Sequence, residues 1–458
     1  MPEAQLKRPD LSRDLGAVAA TAVVVGTIIG SGIFLVPSEM MQAVGSARYV
    51  YLAWTVGGVL SFLGALTYAE LGAMKPDAGG EYVYVRDAYG PMMGFVYAWT
   101  TFLISKPGSI ATIVTGMVRI LGTFADFSFL GKTLIHVPFT VTGGQVIAIS
   151  MVLFVSLINY IGVKRAGEFQ IVFTLLKAGI IVGVIVVSFF AAQGSWSNFG
   201  THYTAARGGL VGFAIALLAA LWAYDGWNNL NMVAGEISNP GRNVPLSLIA
   251  GVGIVGGLYM LMNAAVQYVM PASVIAASER PASQAVFLTL GAGAASIFSG
   301  LMALQMLATL NGTCMSGSRV PFAAARDGAF LKILAAVHPK YHTPSTAIIF
   351  QAGLAVLFIL FAGNFQQLFS ITLFAEWLFY MITSSTVFVF RRKEPNAVRP
   401  YKTTGYPVVP IIFIVASAVL LVYTFASNLR NSAIGTVIIL AGIPVYFFFK
   451  SRNKRLEA

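Results

Sequence analysis

The chain has 458 residues, of which 57% are hydrophobic and only 10% charged, and its mean hydropathy is +0.78. A soluble domain carries about a quarter charged residues, because its surface needs polar cover. A water-soluble enzyme or binding domain is therefore excluded, and lipid is the expected outer solvent.

Long uncharged runs predict twelve transmembrane helices. A helix needs about 20 apolar residues to cross the hydrocarbon core, and Ala17–Ser38 and Thr403–Leu429 reach that length without Asp, Glu, Lys or Arg. Longer runs, such as Asn243–Ser278 and Pro281–Ser318, should include a loop or surface helix as well. Spans 1 to 12 are predicted near residues 15–43, 49–74, 88–120, 144–163, 166–192, 209–237, 244–269, 283–322, 344–362, 368–390, 408–427 and 432–449.

The placement of basic residues predicts the orientation. With twelve spans and a cytoplasmic start, most of the 29 Lys and Arg residues fall in cytoplasmic segments. The outer segments hold only Arg48, Arg119, Lys132, Arg207, Arg280 and Arg430. This asymmetry is the positive-inside pattern. It predicts that both termini are cytoplasmic, and it explains the formal net charge of +12 without a nucleic-acid partner.

The centre of span 1 reads Gly26-Thr-Ile-Ile-Gly-Ser-Gly32. Each glycine weakens a helix by about 1 kcal/mol relative to alanine. One interpretation is a small-residue face for close helix packing. The other is an unwound segment that lines a cavity, whose following half-helix directs free amides at an anionic group such as a carboxylate.

Span 6 contains Trp222-Ala-Tyr-Asp-Gly-Trp-Asn-Asn-Leu-Asn231. A continuous lipid-facing helix would bury an Asp and three Asn without partners, which costs several kcal/mol. The cluster either faces other helices at an interface or marks a second unwinding, with free carbonyls that hold a substrate ammonium. Interrupted helices in corresponding positions of two halves indicate a transporter site between inverted repeats. Spans 1 and 6 are five apart, so the expected repeats are spans 1–5 and 6–10.

These motifs resemble the amino acid–polyamine–organocation superfamily. The run GTIIGSGIF, the run AYDGWN and the segment Glu236–Pro245 carry the resemblance, together with Ser318-Arg319, Ala325–Gly328 and Arg399–Lys402. Within the superfamily, AYDGWN and the segment Lys106–Ala111 are similar to the L-type amino acid transporter family. Animal members bind a glycoprotein subunit through a cysteine in the loop after span 3, and the absence of a cysteine from residues 119–143 here implies a prokaryotic member. The resemblance implies the LeuT-type fold and transport of L-amino acids, usually by exchange.

The resemblance also implies a set of substrate-binding residues. The carboxylate would be held at Ile28, Gly30, Ser31 and Gly32. In span 6, Trp222 would close over the substrate, where phenylalanine is commoner in the family. The carbonyl groups of Tyr224, Asp225 and Gly226 in span 6 are expected to meet the substrate amino group. Asn228 continues the motif on the cytoplasmic side. Two departures matter: Trp222 is larger than phenylalanine, and Asp225 replaces a glycine that is common in animal members.

Isolated polar residues within the spans are candidates for coupling and gating. The resemblance places Lys177 opposite the unwound part of span 1, where sodium-coupled members of the fold bind a cation. It would reach carbonyls of Gly26 or Thr27 and hydroxyls of span 8, such as Thr313 or Ser316. A fixed ammonium would then replace sodium; the alternative is that Lys177 titrates and couples protons. Lys106 either anchors its helix or acts beside the site, and Glu376 either faces a cavity or pairs with a lysine. At the inner end of span 6, Glu236 and Arg242 are expected to form a structural ion pair.

The predicted function is sodium-independent exchange of small to medium neutral L-amino acids by alternating access. The alternative on the same fold is a proton-coupled symporter of amino acids or amines, with Asp225 or Glu376 as the proton carrier. A membrane-embedded enzyme is disfavoured because no Ser/His/Asp set or carboxylate pair is evident. No cofactor or metal is expected. The single cysteine, Cys314, lies within a span, so no disulfide-linked heavy subunit is expected and the chain should work alone.

The predicted fold class is an all-α integral membrane protein with twelve helices, a 5+5 inverted repeat whose helices 1 and 6 are unwound, and two added helices. The predicted organisation is a cytoplasmic segment (residues 1–14), a first repeat (15–192), a second repeat (209–391), helices 11 and 12 (408–450) and a cytoplasmic tail (451–458).

Overall fold

A computed structural model describes residues 11–122, 125–135, 140–361, 365–427 and 429–457. Residues 1–10 of the predicted N-terminal segment and residue 458 of the predicted tail lie outside this range. Ten helices in the described part are long and apolar enough to cross a membrane, and Gly209–Ala223 and Ser345–Phe361 are shorter apolar helices. Together they account for the twelve predicted spans.

Within the described residues, two of the spans are broken and the other ten are continuous. Span 1 consists of half-helix 1a (Ala17–Ile28) and half-helix 1b (Gly32–Val44), and span 6 of half-helix 6a (Gly209–Ala223) and half-helix 6b (Asn229–Met232). Spans 2 to 5 are Ala47–Met74, Pro91–Leu121, Gly143–Ile161 and Val163–Phe189, with a π-helical segment at Thr101–Ser105 inside span 3. Spans 7 to 12 are Pro240–Val269, Ala292–Arg326, Ser345–Phe361, Phe365–Lys393, Val408–Ser427 and Leu429–Glu457.

Short elements connect the spans. They are the helices Glu81–Tyr89, Ala272–Ala277 and Pro281–Leu290, the antiparallel strands Thr133–Ile135 and Val141–Thr142, and the 3₁₀ segments Ala125–Gly131, Trp196–Gly200, Ala234–Glu236 and Lys332–Ala335. The surface helices expected in the long runs before residue 318 are therefore present.

Spans 3 and 8 begin later than the predicted positions, and a glycine explains each shift. Span 8 begins at Ala292 instead of residue 283, because Gly291 adopts φ +85° and ends the preceding short helix. Span 3 begins at Pro91 instead of residue 88, because Gly90 adopts φ +98°. Only glycine enters this region of φ without strain.

The spans pack in pairs that are five apart in sequence. Span 2 contacts span 7, span 3 contacts span 8, and span 4 contacts span 9. The two broken spans also contact each other, since half-helix 1b packs against half-helix 6a. Two repeats related by a pseudo-twofold axis would produce this pairing.

Large apolar side chains cover the outside of the bundle. On span 5, Val172, Leu175, Val182 and Val186 are all exposed, while Lys177 on the same helix is buried. An apolar outer face around a polar interior is the arrangement that lipid requires. The fold is an all-α membrane bundle.

Candidate binding site

The break in span 1 leaves free backbone amides. Half-helix 1a ends at Ile28, Ile29 is extended with φ −70° and ψ 94°, and half-helix 1b begins at Gly32. Within the described residues, the amides of Gly30 and Ser31 donate to no acceptor. Free amides at the start of a helix attract anions, because the helix dipole is positive there.

The break in span 6 lies directly beside the break in span 1. Gly226 adopts φ +108°, and a Cβ atom there would lie 3.0 Å from the carbonyl oxygen of Thr27. The Thr27 hydroxyl donates to the carbonyl oxygen of Gly226 at 2.9 Å. Glycine is therefore required by both the conformation and the close approach of the two chains.

A tyrosine from span 7 joins the two half-helices. The Tyr259 hydroxyl lies 3.1 Å from the carbonyl oxygen of Ile28 and 2.9 Å from that of Ala223. These are the last residues of half-helices 1a and 6a. A helix leaves its last carbonyls without partners, and the single proton of the buried Tyr259 hydroxyl can satisfy either of these two carbonyls, one at a time.

Lys177 lies behind the break in span 1. It is 0% exposed, and its ammonium donates to the carbonyl oxygens of Gly26 (2.8 Å) and Ile29 and to the Thr309 hydroxyl (2.8 Å). Its predicted contact with Gly26 is present. Its predicted partners on span 8, Thr313 and Ser316, were wrong. The span-8 hydroxyl that accepts from Lys177 is that of Thr309, one helical turn before Thr313.

Thr313 and Ser316 have other partners. The Thr313 hydroxyl donates to the carbonyl oxygen of Thr309 at 2.8 Å, and the Ser316 hydroxyl donates to Asn229 Oδ1 at 2.7 Å. Thr313 still lines the cavity between the broken spans, whereas Ser316 supports Asn229 from behind.

A cavity of about 120 Å³ lies between the two breaks. Its walls come from both broken spans and from spans 3, 8 and 10. The lining includes the predicted residues Ile28, Gly30, Ser31, Gly32, Trp222, Asp225, Gly226, Lys106, Glu376 and Thr313. It also includes Ser109, Thr112, Ile113, Asn229, Met306, Thr309, Thr372 and Leu373, which were not among the predicted site residues.

Charged residues form one end of this cavity. The Lys106 ammonium donates to Asn229 Oδ1 at 2.8 Å and lies 3.9 Å from Glu376 Oε1. The Tyr380 hydroxyl donates to Asp225 Oδ1 at 2.7 Å. Both alternatives for Glu376 are therefore present at once: it faces the cavity and pairs with a lysine. Lys106 borders the site and also anchors half-helix 6b through Asn229.

Two predicted binding residues do not contribute side chains to the cavity. The Tyr224 ring packs edge-on against Trp54, with ring centroids 5.6 Å apart. Asn228 is buried on the other side of the break and donates to Glu81 Oε1 at 2.6 Å. In a tight turn, consecutive side chains point in different directions, so the motif AYDGWN cannot place all its members on one wall.

The backbone carbonyl groups of the same turn remain available as the predicted acceptors for a substrate ammonium. Among the described residues, no donor reaches the carbonyl oxygens of Tyr224 and Asp225. Free carbonyls beside the cavity are suitable acceptors for an ammonium group.

Ion pairs close the side of the bundle that carries the short helix Glu81–Tyr89. Glu236 pairs with Arg319 through two hydrogen bonds of 2.6 and 2.9 Å, with both side chains 0% exposed. The prediction that Glu236 pairs with Arg242 was wrong, because Arg319 of span 8 forms the ion pair with Glu236. Glu70 pairs with Arg391 at 2.7 Å.

A helical bundle with two broken spans and an enclosed polar cavity between them defines a secondary membrane transporter. The chain belongs to the amino acid permease family, whose model matches residues 15–449. It is therefore a multi-pass membrane transporter of amino acids and not an enzyme.

Similar proteins cover nearly the whole chain. The b(0,+)-type amino acid transporter 1 of Mus musculus is 33% identical over 97% of this chain and 89% of its own length. The serine/threonine exchanger SteT of Bacillus subtilis (strain 168) is 32% identical over 97% of this chain and 98% of its own length. The Asc-type amino acid transporter 1 of Mus musculus is 31% identical over 98% of this chain and 84% of its own length.

Proposed function

We propose that this transporter exchanges small to medium neutral L-amino acids across the cell membrane by alternating access. The observation that carries the proposal is the pairing of the two breaks. Gly30 and Ser31, whose amides have no acceptor among the described residues, line the same cavity as Asp225, whose carbonyl oxygen has no donor there; the carbonyl of Tyr224, directly before Asp225 in the chain, is also without a donor. The first set suits a carboxylate and the second an ammonium, so the cavity can hold both ends of one amino acid.

Trp222 supports the size limit. Its indole lines the cavity, and a Cβ atom added at Gly32 would lie 3.6 Å from the ring. The charged end of the cavity is already paired within the protein, since Lys106 neighbours Glu376 and Asp225 accepts from Tyr380. A neutral side chain leaves these contacts unchanged. The printed name of the serine/threonine exchanger agrees with small neutral substrates.

Lys177 supports sodium independence. Its ammonium occupies the place behind span 1 and satisfies two carbonyl oxygens there. A fixed cation removes the need for a mobile one, so a sodium gradient is not coupled to transport.

The proposed orientation places both termini in the cytoplasm, as the basic residues indicate. The helix Glu81–Tyr89, which follows span 2, then lies on the cytoplasmic side. The proposed division into repeats, 15–192 and 209–391 with helices 11 and 12 at 408–450, is supported by the pairing of spans that are five apart.

We also propose that the chain works without a disulfide-linked subunit. Cys314 is the single cysteine of the sequence and is 1% exposed inside span 8. A thiol buried there cannot reach a cysteine of another chain.

The test uses the purified chain in proteoliposomes. Labelled serine outside should enter faster when unlabelled serine is inside than when the lumen is empty, and alanine and leucine should compete. Replacing sodium with choline should change nothing. Net uptake into empty vesicles driven by a proton gradient would support the rival symporter, for which the adjoining Asp225, Glu376 and Lys106 are the candidates. Stronger competition by arginine or lysine than by serine would contradict the neutral selectivity and make Asp225 a side-chain receptor.

A further inference from the structure

The short helix Glu81–Tyr89 is fixed against the inner part of span 6. The Gly79 amide donates to the Met232 carbonyl oxygen at 2.8 Å, and Asn231 Nδ2 donates to the Tyr84 hydroxyl at 3.2 Å. Gly80 adopts φ +38°, and a Cβ atom there would collide with the backbone of Asn231. This turn therefore holds half-helix 6b closely, and half-helix 6b separates the cavity from that side of the bundle.

Glu81 is the buried acid at this contact. It is 1% exposed and accepts a hydrogen bond from Asn228 Nδ2 at 2.6 Å. Within the described residues, it forms no ion pair within 4.0 Å. An acid buried without a salt bridge is costly when ionised and much less so when protonated.

A chain of hydrogen bonds links Glu81 to the binding cavity. Asn228 donates to Glu81, the Tyr380 hydroxyl lies 3.0 Å from Asn228 Oδ1, and the same hydroxyl lies 2.7 Å from Asp225 Oδ1. A small void of about 10 Å³ lies along this chain and is bordered by Thr101 and Ser105 of the π-helical segment. π-Helical turns are frequent at functional sites because they loosen the helix locally.

We propose that Glu81 is a positioning residue of the cytoplasmic gate, and that its proton keeps half-helix 6b closed. Loss of the proton leaves a buried carboxylate, which gains solvation when half-helix 6b separates from the helix Glu81–Tyr89. The proposal rests on the proposed transport function and orientation. It adds that the equilibrium of the gate depends on pH on the cytoplasmic side.

The sign follows from burial. Burial raises the pKa of Glu81 from 4.5 to about 7, while Asn228, Lys106 and Tyr97 lower it and Asp225 raises it. Solvation in the open gate would return the pKa towards 4.5. The closed gate therefore binds the proton more tightly, and this contribution to closure is complete below pH 4.5 and is lost as pH rises through about 7.

The magnitude follows from the same two values. Linkage between a pKa of about 7 when closed and 4.5 when open changes the closed-to-open ratio about tenfold between pH 6 and pH 8. The titratable groups that face Glu81 are Tyr84 of its own helix, Tyr68 of span 2, Tyr97 and Lys106 of span 3, Asp225 of span 6, and Glu376 and Tyr380 of span 10. Phenols do not ordinarily titrate between pH 6 and 8, whereas the carboxyl groups of Asp225 and Glu376 need controls.

The experiment measures opening without requiring transport. Ser105 is 4% exposed and borders the void beside Glu81. Ser105→Cys in a Cys314→Ala chain gives one reporter thiol, labelled in proteoliposomes by a membrane-impermeant reagent from the side that carries the termini. At each pH, the labelling rate of the chain that retains Glu81 is divided by the labelling rate of the chain that also carries Glu81→Gln. This ratio removes the pH dependence of the thiol itself.

We expect this ratio to rise about tenfold from pH 6 to pH 8, because glutamine stays neutral like the protonated acid. Glu81→Asp should keep a pH dependence, and the exposed acid variant Glu168→Gln should behave as the unmodified chain. Asp225→Asn and Glu376→Gln should leave the rise in place. A ratio that does not change with pH overturns the proposal, as does loss of the rise in Glu376→Gln. If the labelling ratio rises with pH but no amino acid is exchanged, the proposed exchange function is wrong, whereas the pH-dependent gate at Glu81 is supported.

Discussion

Replacement of Lys177 by methionine tests how span 1 is held open. The substitution keeps the length and apolar stem of the side chain but removes the ammonium that donates to the carbonyl oxygens of Gly26 and Ile29. The Thr309 hydroxyl lies 3.2 and 3.1 Å from the same two oxygens and has one proton. It can therefore satisfy one carbonyl, and the other becomes an unpaired buried acceptor.

An unpaired buried acceptor costs about 1–3 kcal/mol. If the binding-competent break loses this amount relative to other conformations, its population falls about 5- to 150-fold, since 1.4 kcal/mol corresponds to a factor of ten. Lys177→Met should lower the exchange rate at subsaturating substrate by a factor in this range. Lys177→Ala should lower it at least as much, because it also leaves a cavity.

The assay is exchange of labelled serine in proteoliposomes, normalised to the amount of folded protein by gel filtration in detergent. Lys164→Met is the matched control, because Lys164 lies on the same helix and is exposed. Normal exchange by folded Lys177→Met would refute the reasoning. A strict sodium requirement of the unmodified chain would refute the idea that Lys177 replaces a mobile cation.

Three further predictions concern the same site. Gly32→Ala should abolish exchange while the protein remains folded, since its Cβ would lie 3.0 Å from the Cβ of Ala223; uptake and gel filtration check this against Gly253→Ala, which has no atom within 4 Å. Tyr259→Phe should lower the melting temperature by about 1–3 °C, because removal of the buried hydroxyl leaves one more carbonyl unpaired, at about 1–3 kcal/mol; an unchanged melting temperature would contradict the role of this hydroxyl. Glycine, which lacks a side chain, should compete with serine within about tenfold, because the proposed contacts hold the backbone groups; competition assays decide it, and a loss of 100-fold or more would mean that the side chain dominates binding.

The positions of both breaks were indicated in the sequence by the glycines of span 1 and by the polar residues within span 6. A Gly-rich centre in span 1 and an Asp with three Asn in span 6 are incompatible with continuous lipid-facing helices, so local chemistry alone pointed to them. The position of Lys177 behind span 1 was implied by the family resemblance, because the sequence by itself shows only a lone ammonium within a span. At Gly30 a Cβ atom would meet only the Ile28 carbonyl oxygen at 4.0 Å, so only a bound substrate would crowd a side chain there.

The sequence could not predict how far one span is shifted along another. The choice of Thr309 over Thr313 depends on how far span 8 is shifted along span 1, and one helical turn of about 5.4 Å changes the partner. Tyr259 carries no local signal, because a tyrosine within an apolar span is ordinary, and span 7 holds a second one, Tyr268. Glu81 was not singled out either, since an acid at the start of a short helix is usually solvated, and only the packing of half-helix 6b against it explains its burial.

The ion pairs on the proposed cytoplasmic side differ in how readily they can separate. Glu236 and Arg319 are both 0% exposed and share two hydrogen bonds, and breaking such a buried pair typically costs 3–5 kcal/mol. Arg86 and Asp327 are 28% and 36% exposed, and exposed pairs contribute only about 0–1 kcal/mol. The first pair joins the end of span 6 to span 8, whereas the second joins the helix Glu81–Tyr89 to the end of span 8. Separation of the second ion pair is therefore far less costly than separation of the first, so Glu236 and Arg319 should stay paired when the helix Glu81–Tyr89 separates from the end of span 8.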